Sequence, residues 1–370
     1  MENPLAADLD HVLARTDARV WEALRGQRIF ITGGTGFFGR WLLESFAWAN
    51  RKLDLRARAV VLSRDPAASL LRAPHLGPVA GISWVRGDVR SIALADVQSQ
   101  LSESVTPSFP FLIHAATESA STQARDAPLE MFDTCVQGTR NILDLAVAGG
   151  GRRFLFTSSG AVYGPQPPGM THIPEDYRGG PDPLVISSAY AEGKRAAEHL
   201  CAQWHQIHPA LEPLIARCFA FVGPFLPLEA HFAAGNFIGD VLAGRTIQVG
   251  GDGTAMRSYL YAADLAVWLW TILVRAQPLQ PINVGSGDSV TIAQLAESAA
   301  RLRVPHSPLK IARLPVAGAS PQRYVPAVER AQSDLSLIAN VSLDDSLRRT
   351  LDWYLDLHSK SYSNARQSNS

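Results

Sequence analysis

The chain has 370 residues, of which 46% are hydrophobic, and its 34 basic side chains balance 34 acidic ones to a formal net charge of +0. That length suits one large domain or two with a sizeable core, and the charge balance removes the electrostatic case for nucleic acid or an anionic membrane surface as a partner. Three cysteines, Cys135, Cys201 and Cys218, make neither a disulfide framework nor a paired-ligand spacing.

Residues 4–25 read as an amphipathic helix, with Leu5, Leu9, Val12, Leu13, Val20 and Leu24 at helical intervals. It belongs to an extension, residues 1–26, expected to pack on the core. Glu2, Asp8 and Asp10, without an apolar core segment, argue against a targeting peptide, so a cytoplasmic location is expected. The apolar run Ile29 to Ile31 marks a first strand at 28–32, and Gly33, Gly36 and Gly39 follow it before a helical run from Arg40 to Trp48. Glycines in that place let the chain turn tightly and bring backbone N–H groups against a pyrophosphate at a helix N-terminus.

Further strands are expected at 57–62, 82–86, 110–114, 152–157 and 213–219, alternating with helices. That alternation predicts an α/β fold, a doubly wound parallel sheet. It spans residues 27–220 with a returning segment near 255–285, where Asn283-Val-Gly-Ser-Gly-Asp288 reads as strand and turn before a helix. The Pro/Gly-rich segment between Tyr163 and Ser188 reads as a mobile loop over the active site. His199, Cys201, His205 and His208 cluster in sequence, but helical spacing keeps His199 and His205 off one face, so no metal is expected. A second Pro/Gly-rich region, 223–235, opens a smaller C-terminal domain over 221–358. The longest strongly apolar run, Leu265 to Val274, is too short to span a bilayer, and residues 359–370 read as a disordered polar tail.

Chemistry concentrates at two places. Tyr190 and Lys194 stand one helical turn apart on one face. An ammonium beside a phenol favours the phenolate and lowers its pKa from ~10, giving an acid/base usable near neutrality. Ser158 and Ser159 end the strand that begins near Phe154, at the carboxyl edge where open parallel sheets bind ligands. The Ser159 hydroxyl there can hydrogen-bond a substrate oxygen and relay its proton to the tyrosine.

With these motifs in place, the stretch from about Gln27 to about Ile292 resembles the extended short-chain dehydrogenase/reductase family, in particular its nucleotide-sugar-modifying members. The resemblance implies a Rossmann-type sheet binding NAD or NADP, a smaller α/β domain for a nucleoside-diphosphate sugar, and a homodimer. It assigns Ser159, Tyr190 and Lys194 to catalysis. It places Gly33, Gly36, Phe37, Phe38 and Gly39 at the dinucleotide, with Asp88 and Val89 at the adenine. Ala115, Ala116, Thr117 and Thr157 fall beside the nicotinamide ribose with Tyr190 and Lys194. Arg257 is similar to the arginine that contacts the sugar nucleotide's diphosphate, and Asn236 falls in a segment that lines the substrate site.

Departures from the family pattern are informative. Its 4,6-dehydratases and decarboxylases carry acids just after the catalytic Ser/Thr, where this chain has Gly160 and Ala161. Cys135 and Ala220 stand where asparagine is usual. At the end of the second strand Ser63 replaces an acid that would hold the ribose hydroxyls of NAD, and Arg64 follows, which favours NADP. Asp65 keeps NAD in play. The expected activity is nucleotide-sugar 4-epimerisation, with an NADPH-dependent 4-ketoreductase as the alternative. A noncatalytic dinucleotide-binding protein is the reading from another class, since fold does not imply function.

Overall fold

The computed structural model describes residues 3–102, 104–117, 127–229 and 232–367. The apolar runs form β1 (Arg28–Thr32), β2 (Arg58–Ser63), β3 (Ile82–Arg86), β4 (Phe111–His114), β5 (Arg153–Ser159) and β6 (Glu212–Cys218). With the returning segment Ile282–Val284 they make one seven-stranded sheet, ordered Ile282–Val284, β6, β5, β4, β1, β2, β3. Every neighbouring pair in it is parallel.

Successive side chains of a strand point to opposite faces. Ile29 and Ile31 accordingly pack with Trp41, Phe46, Trp268 and Trp270, while Phe30 packs with Ile142, Leu145 and Ala197. The helices Phe37–Lys52 and Ala262–Arg275 cover the first face, and Pro128–Ala148 and Ala189–Ile207 the second. Each large side chain so buried contributes about 1.5–3 kcal/mol. The sheet is therefore doubly wound, and its winding reverses between β1 and β4. The crevice at their carboxyl ends is the place where such sheets bind ligands.

The N-terminal extension is two helices, not one. Ala6–Arg15 ends at an extended Thr16, and Asp17 caps Ala18–Ala23 by accepting the Arg19 N–H. Both join the first-face core through Leu5, Leu9, Val12, Val20, Trp21 and Leu24. Polar contacts seat them: Asp8 accepts the Tyr261 hydroxyl at 2.6 Å and pairs with Arg349 at 2.7 Å, and the Trp48 indole donates to Asp10 at 2.8 Å.

The C-terminal part has its own core, with Phe237, Ile238, Val241, Leu295, Ala299, Leu347 and Leu351 at its centre. Its strands are short: Ile247–Val249 beside Leu309–Ile311, and Met256–Ser258 between Ser289–Thr291 and Arg323–Tyr324. The final helix runs Leu343–Gln367, through most of the segment read as a polar tail. The Pro/Gly-rich segment after Tyr163 is tied down midway. Ile173 is fully buried and exchanges backbone hydrogen bonds with Val325 and Ala327, and Glu175 accepts the Asn283 N–H. None of the described helices is long and apolar enough to cross a membrane.

Candidate active site

A cleft of about 900 Å³ opens at the carboxyl ends of the strands, between the sheet and the C-terminal part. Its floor is the glycine turn after β1. Gly33 has φ +75°, and a Cβ there would lie 2.4 Å from the Ala115 carbonyl oxygen; one on Gly39 would lie 2.1 Å from that of Gly33. Those two glycines are required by the fold of the turn itself. Gly36 differs: a Cβ would meet only the Gly33 oxygen at 3.5 Å, an ordinary contact. The space it leaves faces the cleft, and Gly36 opens the Phe37–Lys52 helix with no side-chain cap. Free backbone N–H groups of a first turn, over a gap that a side chain would fill, fit the pyrophosphate of a dinucleotide.

Beyond β2, Ser63 and Arg64 line the cleft while Asp65 does not. The Asp65 carboxylate is engaged as N-cap of Pro66–Arg72, accepting the Ala68 N–H at 3.0 Å. Asp88, after β3, pairs with Arg90 at 2.8 Å, and hydrogen bonds from Arg90 hold its carboxyl below the usual range. Arg90 was not foreseen from the sequence, although it follows Asp88 by only two positions.

The third wall is set by a buried polar chain. His114 Nδ1 lies 2.7 Å from Thr32 Oγ1 and Nε2 3.1 Å from Thr139 Oγ1, which locks β4 to β1 and to the Pro128–Ala148 helix. Burial pushes its pKa down to about 3. Ala115, Ala116 and Thr117 are thereby held at the cleft.

Ser159, Tyr190 and Lys194 meet here from β5 and the Ala189–Ile207 helix. Burial pushes the Tyr190 phenol's pKa above the ordinary value, and the neighbouring Ser159 hydroxyl eases that shift. Lys194 does not donate to the phenol. Its ammonium sits 5.9 Å from the Tyr190 ring centre and donates to Thr117 Oγ1 and the Thr157 carbonyl, each at 2.7 Å. Burial lowers its pKa. The expected lysine-driven activation of the phenol is therefore outweighed by desolvation in this state, because two oxygen acceptors hold the ammonium elsewhere. Cys135 packs against Tyr190 with Met131, and burial raises its thiol pKa, so it acts there as a small apolar neighbour.

At the far end Arg257 lines the cleft, donating to the Met256 carbonyl at 2.8 Å, with its guanidinium 5.9 Å from the Tyr324 ring centre. Phe219, Phe221, Phe232, Tyr259 and Tyr324 line the cleft with it. Apart from Asn236 and the alternative ribose acid Asp65, every residue assigned from the sequence to catalysis, cofactor or substrate lines the cleft. Asn236 sits one turn into the Ala233–Leu242 helix, whose start, Phe232 and Ala233, faces the cleft instead. Residues 230 and 231 of the adjoining segment lie outside the described residues. Ala220 and Cys218 also line the cleft.

The NAD dependent epimerase/dehydratase family model matches residues 29–285. The chain is 29% identical over 321 residues to UDP-glucuronic acid decarboxylase 5 of Arabidopsis thaliana, covering 86% of this chain and 87% of that one. It is 27% identical over 328 residues to UDP-glucuronic acid decarboxylase 1 of Danio rerio, covering 89% and 72%. Among solved structures it resembles a UDP-glucose 4-epimerase from Thermotoga maritima with UDP-glucose (TM-score 0.73, 18% identity, 90% of this chain and 99% of that one). It also resembles a dTDP-glucose 4,6-dehydratase from Streptomyces venezuelae with NAD bound (TM-score 0.72, 24% identity, 89% and 97%). At such identities the structural likeness establishes the fold.

Proposed function

This chain belongs to the NAD dependent epimerase/dehydratase family, and we propose that within it the protein is a nucleotide-sugar 4-epimerase. The observation that carries this reading is the wall beyond Ser159. The position after the catalytic serine is Gly160, and a Cβ there would lie 2.7 Å from both Phe219 Cζ and Tyr324 Oη. Ala161 follows. Aromatic rings stand where dehydration or decarboxylation chemistry would place an acid. The acids among the described lining residues, Asp88 and Glu130, belong to the cofactor side with Arg90.

A bound nicotinamide supplies the acceptor and donor for the hydride at the sugar carbon. Tyr190 takes the carbinol proton as the ketone forms and returns it when the other face is reduced. Ser159 holds the reacting oxygen through its hydroxyl. Lys194 secures Thr117 and the end of β5 beside the ribose. Arg257, a cation at the opposite end, suits a diphosphate. Homodimer assembly belongs to the same reading, and sedimentation mass measures it.

Arg64 lining the cleft while Asp65 is engaged as a helix cap supports NADP over NAD. Arg64→Ala is expected to weaken NADP binding by ~1.5–3 kcal/mol and NAD binding much less, because only NADP offers a 2′-phosphate to the guanidinium. Equal losses in parallel titrations of the two cofactors would refute the preference. The same observation favours a second reading, a 4-ketoreductase. An epimerase interconverts C4 epimers with no net consumption of reductant, whereas a ketoreductase consumes one NADPH per turnover. Carbon dioxide release from UDP-glucuronic acid would contradict both.

A further inference from the structure

Glu198 stands one turn beyond Lys194 and two turns beyond Tyr190 on the Ala189–Ile207 helix, so the three share a face. It does not line the cleft, but Ser158, which does, donates its hydroxyl to Glu198 Oε1 at 2.5 Å. Arg217 approaches the same carboxylate from β6 as a fork, with Nε 3.0 Å from Oε1 and Nη2 2.7 Å from Oε2. Ser158 and Arg217 are register partners across the β5–β6 ladder. One carboxylate therefore pins the helix to the ends of two strands at once. The Arg217 guanidinium is fixed in turn: it donates to the Glu175 carbonyl at 3.1 Å and lies 4.7 Å from the Tyr163 ring centre. The pair is largely buried, its side chains 14% and 13% exposed. A buried ion pair is seldom more stabilising than apolar side chains of the same volume, because desolvation offsets the attraction. What its fork supplies is direction.

We propose that Glu198 is a positioning residue: held by Ser158 and Arg217, it fixes the register of the helix on β5 and so sets where the Tyr190 phenol stands relative to Ser159. This rests on the assignment of hydride transfer to the cleft. Lys194 already ties the helix to Thr117 and to the Thr157 carbonyl. Glu198 adds a second tie one turn on, and two ties along a helix define an orientation where one leaves it free to pivot.

The test replaces the pair by apolar side chains of similar length, Glu198→Met/Arg217→Met. The melting temperature should be kept. With UDP-glucose and UDP-galactose as substrates, kcat should fall about tenfold, part of the roughly 10²-fold that a misplacement of about 1 Å costs. KM and dinucleotide affinity should change less than about twofold, since neither side chain lines the cleft. Ser158→Ala removes only the tie to β5 and should give a loss of the same kind. Added to the double variant it should cost nothing further, because its acceptor is already gone. If Glu198→Met/Arg217→Met does not fold, Ser158→Ala carries the test. A pair that merely holds the fold together predicts wild-type kcat in every variant that folds. That result, or a loss confined to KM, overturns the proposal. NMR of isotope-labelled tyrosine reads the placement without turnover, with the Tyr190 resonance assigned through Tyr190→Phe. About 12 Å of helix separates Glu198 from Tyr190, so a Tyr190 resonance shifted in the double variant or in Ser158→Ala reports the helix and supports the proposal. An unshifted one overturns it. If wild type turns over neither sugar nucleotide, the reading of the cleft fails and the resonance alone decides this inference.

Discussion

The glycines after β1 separate fold from function residue by residue. Gly39→Ala drives a Cβ to 2.1 Å from a backbone oxygen and should destabilise the protein by at least about 1–3 kcal/mol, an overpacking cost. Gly36→Ala meets nothing closer than 3.5 Å and should leave the melting temperature unchanged while weakening dinucleotide binding. Thermal melts with and without cofactor measure both. His114 carries a pH signature. Its native pKa is pushed to about 3 by burial, against 6.5 for the unfolded residue. Between those values the unfolded chain binds the proton and the native state does not, so stability falls as pH falls, by up to about 1.4 kcal/mol per pH unit. His114→Gln should remove that contribution to the acid slope, seen in urea unfolding at several pH values. At this scale the side chains that meet in the cleft were legible because Tyr190 and Lys194 share a helix face and Ser159 ends an apolar strand. What the lysine ammonium bonds was not, since Thr117 and Thr157 come to it from separate strand ends.

Among the elements, the parallel strands were legible within a residue or two, because burial on both faces gives most of them an uninterrupted apolar run bounded by polar or turn residues. The N-terminal helix was legible as amphipathic, but its break at Thr16–Asp17 was not, since the apolar periodicity continues across it. Strands of two or three residues, such as Arg323–Tyr324, carry no periodic signal, and Tyr324 was missed with its strand. The extension's seating gives a direct expectation. Asp8→Ala orphans the fully buried Tyr261 hydroxyl and should cost about 1–3 kcal/mol. Arg349→Ala removes only a half-exposed partner and should cost under about 1 kcal/mol. Equal losses in denaturant titrations would mean the ion pair, not the buried hydroxyl, holds the helix.

For the whole molecule, the sheet supplies the glycine turn, Asp88, Ser159 and the helix bearing Tyr190, while the C-terminal part supplies Arg257, Tyr259 and Tyr324. The cleft depends on both, which is why the wall formed by Tyr259 and Tyr324 could not be assembled from local sequence. The reaction assigned to it rests on Tyr190 passing a proton while hydride leaves and returns at one carbon. The most direct test follows UDP-glucose carrying deuterium at C4, incubated with wild type and Tyr190→Phe. The account predicts UDP-galactose that keeps deuterium at C4 without net cofactor reduction, and a rate in Tyr190→Phe lower by about 10²–10⁴-fold. Deuterium accumulating on free dinucleotide, or Tyr190→Phe turning over at the wild-type rate, would contradict it.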